Sequence, residues 1–205
     1  MAGDTKERIR DAALELFSEN GYPGTAMSDI AKKIGLTKAA LYKHYASKQE
    51  IFDAIVESTA AQYEQYAEQI NIHVQDAKRD FLVFTEISAD ALAEKVRHIF
   101  LYSLHDEAIS RFRRMMTIEQ FRSPELSRLY SQRYVERMVV YHAGIFRRLM
   151  EAGKIKKESP ETLAMLYVAP LITLLGVCDR EPAKEEESLK MLDDHVRLFY
   201  RMVQV

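Results

Sequence analysis

The sequence reads as helical almost from end to end, and three observations carry that reading. Two short segments with apolar stripes flank a tight glycine turn between Thr25 and Ile51, which is the anatomy of a helix-turn-helix. Ser-Pro-Glu occurs at Ser123–Glu125 and again at Ser159–Glu161, each time placing a cap ahead of a proline at the first helical position. Near the C-terminus Leu189, Leu192, Val196, Phe199 and Val203 recur at steps of three and four, the period of a helix packed along its length.

Asn20-Gly21 stops the first helix. The second carries Ile30, Ala31 and Ile34 on one face, and Gly35 follows where the chain must turn in a left-handed conformation. Leu36 anchors the turn, and Thr37 caps a third helix read as Lys38–Tyr45. At about 100° per residue, Leu41 and Tyr45 face inward while Ala39, Ala40 and Lys43 lie opposite. Tyr42 and His44 project from the flanks, with Lys38 at the tip. Small side chains let the backbone approach closely, and alanine methyls suit thymine methyls in a major groove. Lys43 can donate to guanine O6 or N7, while Tyr42 and His44 are spaced to reach phosphates. Ser47-Lys48-Gln49-Glu50 reads as a capping box whose N-terminal dipole and Lys48 would hold a phosphate. From Thr25 to Glu50 five lysines face two acids, although the chain of 205 residues carries a net charge of −2. One locally basic patch on a near-neutral chain fits contact with DNA through that patch alone.

Beyond this segment the residues from Asn71 to Ile87 show no settled cap or period. Phe81, Val83 and Ile87 could be a short strand, a loop or a helical turn, and the segment is treated as a connection. Ser88 caps a helix to about His105 with Leu92, Val96, Ile99 and Phe100 inward. Asp106–Phe121 reads as helical, with Ile109, Phe112 and Met116 inward and Phe121 a further candidate. Ser123 starts a long helix that Gly153 ends, about 43 Å at 1.5 Å per residue. The apolar run Leu163–Cys178, broken only by Thr173 and Gly176, reads as a helix buried on most sides. It carries Pro170 and falls short of the roughly 18 to 20 residues that cross a bilayer. The early charges Asp4, Lys6, Glu7 and Arg8 do not suit a signal peptide. A single cysteine, Cys178, forms no internal disulfide and fits a reducing cytoplasm.

The matching positions Arg8, Ile9, Ala12, Ala13, Phe17, Gly21, Tyr22 and Thr25 open a longer pattern. It continues through Asp29, Ile30, Ala31, Gly35, Leu36, Leu41, Tyr42, His44, Tyr45, Ser47, Lys48 and Ile51. In that register the segment resembles the TetR family of bacterial transcriptional regulators. Tyr45 stands where the family usually has phenylalanine, and Ala39 where glycine is common. Ala26 and Met27 replace hydroxyl residues that often cap the second helix, which leaves Thr25 or Ser28 as the nearest hydroxyls. The resemblance implies an all-α fold, with a three-helix DNA-binding domain (1–47) and a helical effector-binding and dimerisation domain (48–205). It further implies a homodimer that represses by occupying a palindromic operator and is released by a ligand. An activator, or a DNA-organising protein that senses no ligand, is the alternative.

The expected DNA contacts are therefore Thr25, Ser28, Lys38, Ala39, Ala40, Tyr42, Lys43, His44 and Lys48. The middle of the chain is rich in aromatics and methionine, and Tyr63, Phe100, Met116, Tyr134, Met138, Tyr141 and His142 are its effector-binding candidates. They suggest a small apolar or aromatic effector. Leu163, Leu166 and Leu174, with the C-terminal stripe of Leu189, Leu192, Val196, Phe199 and Val203, are the candidates for a four-helix dimer interface. The partners expected are double-stranded DNA, a second copy and the effector, without cofactor, metal or membrane. The six histidines are scattered, and the sequence has no Cys-x-x-Cys, no Gly-rich phosphate loop and no nucleophile elbow. Nothing in it points to an enzyme.

Overall fold

The computed structural model describes residues 2–73 and 76–205, and every regular element among them is a helix. In order these are α1 (Ala2–Asn20), α2 (Met27–Lys33), α3 (Lys38–Tyr42), α4 (Lys48–Gln69), α5 (Ala77–Glu86) and α6 (Ala89–His105). They continue with α7 (Glu107–Glu119), α8 (Pro124–Ser131), α9 (Arg137–Glu151), α10 (Pro160–Arg180) and α11 (Glu185–Val203). A π-helical turn, Gln132–Glu136, joins α8 to α9. The helix read as continuous from Ser123 to Gly153 thus carries an extra residue per turn in its middle.

The helices form two compact units. The first reaches Tyr63 and includes Asp106–Arg128; the second holds Glu64–His105 and Leu129–Val205. This division differs from a boundary after residue 47. The start of α4 supplies Ile51, Phe52 and Ile55 to the first core, and α7 adds Phe112, Met115 and Met116. Phe52 lies 6.5 Å from Phe17 and 6.3 Å from Phe112 between ring centroids, so α1, α4 and α7 share one apolar centre. Asp106 caps α7 by accepting from the Ile109 amide at 3.0 Å, and its other oxygen accepts from Gln62 at 2.8 Å. Phe121, a candidate for the inward face, is 89% exposed, because α7 ends at Glu119 and the chain turns outward.

Gly21 is required twice over. Its φ of 78° is left-handed, and a Cβ there would stand 2.7 Å from an oxygen of the buried Glu119. Glu119 accepts from Arg122 at 3.2 Å, and its second oxygen has no partner among the described residues.

The second unit corrects two sequence expectations. The connection expected at 71–87 is largely a helix, α5, capped by Asp76, which accepts from the amides of Lys78 and Arg79. Residues 74 and 75 of that stretch lie outside the described residues. Ala77, Phe81, Phe84 and Ile87 lie against the core at helical spacing, and Asp80 sits fully buried in the same stripe. Asp80 accepts from the His73 amide at 2.7 Å, from His73 Nδ1 at 2.6 Å and from the Tyr141 hydroxyl of α9. A buried carboxylate with three donors is satisfied, and here it ties the end of the α4–α5 connection to α9.

The other correction concerns α10 and α11. α10 is 21 residues long and apolar enough, by length and composition alone, to cross a membrane. Its contacts are those of a core helix on one side only: Leu163, Ala164, Tyr167, Val168, Leu174 and Cys178 are buried, while Met165 and Leu166 are exposed. It is therefore not buried on most sides. In α11 the stripe Leu189, Leu192, Val196, Phe199 and Val203 is buried inside its own chain. Arg97–Asp193 at 2.9 Å and Arg197–Asp90 at 2.8 Å join α11 to α6.

Replacing Asp80 by alanine removes the acceptor shared by the Tyr141 hydroxyl and both His73 donors. The Asp80→Ala variant should lose about 3 kcal/mol of unfolding free energy in urea titration, and Tyr141→Phe about 1 kcal/mol. A loss below that of Tyr141→Phe in the alanine variant would show that the cluster holds nothing.

Candidate functional site

The turn between α2 and α3 is closed by backbone bonds. The Gly35 amide donates to the Lys32 carbonyl at 3.2 Å and the Leu36 amide to that of Ala31 at 2.9 Å. Gly35 has φ 71°, the left-handed value its position in the sequence demands. Thr37 caps α3 by accepting from the Ala40 amide at 3.1 Å. α3 is shorter than the sequence suggests: Lys38–Tyr42 is helical, Lys43 is its C-cap, and the amides of His44 and Tyr45 both donate back to the Leu41 carbonyl. The three residues expected to extend the helix form its closing turn. Leu41 and Tyr45 are buried, as the period requires.

The outward side of α3 shows Lys38, Ala39, Tyr42 and Lys43 exposed, and Ala40 and His44 half-buried. The Lys38 ammonium stands 6.0 Å from the Tyr42 ring centroid, the outer limit of a cation–π contact. Lys33 pairs with Glu15 of α1 at 2.9 Å, while Lys32, Lys38 and Lys43 have no ion-pair partner among the described residues. The free positive charge is thus three lysines, with small residues between two of them.

Two expected phosphate contacts are spent inside the unit. Lys48 does not point outward: its ammonium donates to the carbonyls of Tyr22 at 2.7 Å and Thr25 at 2.9 Å, and lies 4.5 Å from the Tyr22 ring centroid. Burial lowers its pKa. Thr25 is buried, its hydroxyl donating toward the carbonyls of Gly21 at 3.0 Å and Leu16 at 3.2 Å. The carbonyls leaving α1 lack helical partners, and these two side chains satisfy the turn. Ser28 is exposed in the first turn of α2. Asp29, rather than a hydroxyl, caps α2 by accepting from the Ala26 amide at 2.8 Å. At α4 the Glu50 amide donates to Ser47 and the Glu50 carboxylate accepts from the Ala46 amide, so the expected capping box closes one residue early.

The effector candidates do not converge. Tyr63 and Met116 belong to the first unit, where Met116 is core; Phe100 and Tyr141 are core in the second, and Tyr134 and Met138 are half-buried. Among them His142 lines a cavity of the second unit. That cavity, about 80 Å³, is walled by α5, α6, α9, α10 and α11, with Phe146, Tyr167 and Phe199 among its rings. Nothing in the sequence marked Tyr167, Lys154 or Tyr200 as its lining.

Of the interface candidates, Leu166 alone is exposed, and the seven others are buried in their own chain. The exposed apolar side chains of α10 and α11 are instead Met165, Leu166, Met191, Leu198 and Met202. Leu166, Pro170, Leu198 and Met202 line an open groove of about 590 Å³. A second stripe at 191, 198 and 202, beside the stronger one, was the signal available in the sequence.

The comparisons with known proteins agree with this anatomy. Residues 9–55 match the profile of bacterial regulatory proteins of the tetR family, and residues 91–202 that of the AefR-like transcriptional repressor C-terminal domain. The biofilm operon icaADBC HTH-type negative transcriptional regulator IcaR of Staphylococcus epidermidis is 49% identical over 53 residues, 26% of this chain and 29% of that protein. The chain thus matches under a third of the length of that curated relative. Among solved structures, a putative TetR-family regulator from Mesorhizobium loti superimposes with a TM-score of 0.72 at 25% identity, over 100% of this chain and 99% of that one. SmeT, the repressor of the Stenotrophomonas maltophilia multidrug efflux pump SmeDEF, gives 0.66 at 24% identity, over 98% and 90%, a likeness of fold. SmeT in complex with triclosan gives 0.66 at 25% identity, over 92% and 90%.

Lys48→Ala should lower the unfolding free energy by about 1–2 kcal/mol, because two turn carbonyls lose their donor. A variant as stable as the parent in urea would mean that the ammonium is free to meet a phosphate after all.

Proposed function

We infer that this chain, which belongs to the TetR family of bacterial regulatory proteins, is a sequence-specific DNA-binding transcriptional regulator, a ligand-released repressor acting as a homodimer. The observation that carries the reading is α3: buried on its Leu41 side and, on the other, exposing Lys38, Ala39 and Lys43 with little side-chain bulk. A short helix with that surface can enter a major groove, where lysine donates to guanine and alanine packs on thymine methyls. Lys38, Ala39, Ala40 and Lys43 read bases in this scheme. Tyr42, His44 and Ser28 hold the backbone, with Thr25 and Lys48 supporting them from inside.

A two-fold operator needs two such helices about 34 Å apart, hence a dimer. Met165, Leu166, Met191, Leu198 and Met202 form the proposed interface. One apolar face on each of two neighbouring helices, self-matched by a two-fold axis, makes a four-helix contact. Repression is supported by what the relatives are: IcaR is a negative regulator and SmeT a repressor. Release by a small molecule is supported by the complex of SmeT with triclosan and by the cavity of the second unit. α4 runs without a break from the first unit into the second. A ligand that binds one arrangement of the chain better than the other shifts the balance between them. Such a protein works in the cytoplasm, with its DNA.

Selection of bound DNA from a random pool should return a two-fold symmetric consensus; an asymmetric or absent consensus sinks the reading. On that operator, Lys43→Ala should cost about 1–3 kcal/mol and relax the preference at one position of each half-site. Equal weakening on all sequences would reassign Lys43 to the backbone. Leu198→Glu should leave the fold intact by circular dichroism while sedimentation shows a monomer. A Leu198→Glu dimer would place the interface elsewhere.

A further inference from the structure

The first turns of α1 bring two cations to the edges of α3, and all the groups involved belong to the first unit. The Lys6 ammonium stands 5.1 Å from the Tyr45 ring centroid, inside the roughly 6 Å of a cation–π contact. Tyr45 belongs to the closing turn of α3 and directly follows His44. At the opposite end, Arg8 Nη2 donates to the Ile34 carbonyl at 3.3 Å. Ile34 is the C-cap of α2, where the chain turns toward α3. Lys6 and Arg8 fall about 200° apart around α1, one on each side of the buried stripe of Ile9 and Ala13. That spacing is why one side chain reaches the turn before α3 and the other the turn after it.

Both residues are exposed, and neither has an ion-pair partner among the described residues. The acids of α1 are placed elsewhere. Asp4 lies about 200° from Lys6 around the helix. Glu7 and Asp11 stand one turn apart on a flank where Glu107 of α7 joins them, and the Asp11 carboxyl is pushed up by burial and by those two charges. Glu15 is held by Lys33 at 2.9 Å. The charges of Lys6 and Arg8 are therefore open to an anion from outside. They supply what Lys48 does not, because its ammonium is spent on the carbonyls of Tyr22 and Thr25. A lysine stem laid on a ring has already lost part of its rotamer freedom, so meeting a phosphate costs it less.

We propose that Lys6 and Arg8 of α1 are phosphate-binding residues of the DNA interface, gripping the sugar-phosphate backbone beyond the two ends of α3. Such contacts fix the register and orientation of α3 while its own side chains read bases. The assignment rests on α3 entering a major groove, as proposed above, and the test separates the two.

Full-length protein is titrated into labelled duplexes, the selected operator and a mismatched version of it, and binding is followed by anisotropy between about 50 and 200 mM salt. Lys6→Gln and Arg8→Gln should each weaken binding about three- to tenfold on both duplexes alike, and lower the slope of log affinity against log salt by about 0.9. Lys6→Arg should keep the parent slope. Lys78→Gln, which removes the same charge from α5 in the second unit, should keep it too. An unchanged slope in both glutamine variants overturns the assignment even if affinity falls, because the side chains then only brace Tyr45 and Ile34. A changed base preference overturns it as well, by moving the contact from backbone to bases. A slope that falls in one variant alone strikes the other residue out. Flat slopes in the variants of a parent that binds its operator sink this assignment and spare the reading of α3. A parent that binds neither duplex at the lowest salt sinks both.

Discussion

A helix of five residues has no stability of its own in water, and neither has one of seven. Nucleating a turn costs more than so few bonds return, and isolated helices below about 12 to 15 residues are marginal even in favourable sequences. α3 and α2 are that short, so their geometry is imposed on them. Leu41 and Tyr45 reach into a core made by Ile9 and Phe17 of α1, Ile30 of α2 and Ile51 and Phe52 of α4. The path between α1 and α2 is fixed by Gly21, by the Thr25 hydroxyl and by the Lys48 ammonium on two carbonyls. Lys48 is thus more useful inside than out. A helix that must fit a groove closely gains from a fastener on the turn that precedes it.

The local signals were legible because they are local. Gly35, the Thr37 cap, Ser159 before Pro160 and the inward pair Leu41 and Tyr45 each follow from neighbours within one helical turn. What failed needed the third dimension. α5 was hidden because Asp80 falls in the middle of its apolar stripe, and only the donors from His73 and Tyr141 make a carboxylate acceptable there. The charge of Lys48 was visible, but not the direction of its stem. The stripe of α11 showed that a face is covered and could not say by what; it is covered by its own chain.

The cavity of the second unit was the least legible part, for a related reason. Its walls are ordinary core residues, and the sequence scattered equally good aromatics across both units. Met116 and Phe112 have the same composition as a pocket and serve as packing on α7. What distinguishes a cavity wall from a packed core is the void beside it. That is a property of geometry: Tyr167 of α10 and Tyr200 of α11 are far apart in sequence and line the same cavity.

α10 and α11 each carry two apolar faces, and a single chain covers one. Burial of the inner stripe from Leu189 to Val203 stabilises the second unit, while Met191, Leu198 and Met202 stay exposed beside Met165 and Leu166. An apolar surface shared by two adjacent helices is a cost to a monomer and a contact to a pair. Phe199 and Val203 belong to both features: they line the cavity on one side of α11 and floor the groove on the other. In the proposed dimer the same two side chains wall the cavity and floor the groove of the subunit contact. Close-packed side chains have few ways to yield, so a shift of either on the cavity side reaches the groove through contact alone.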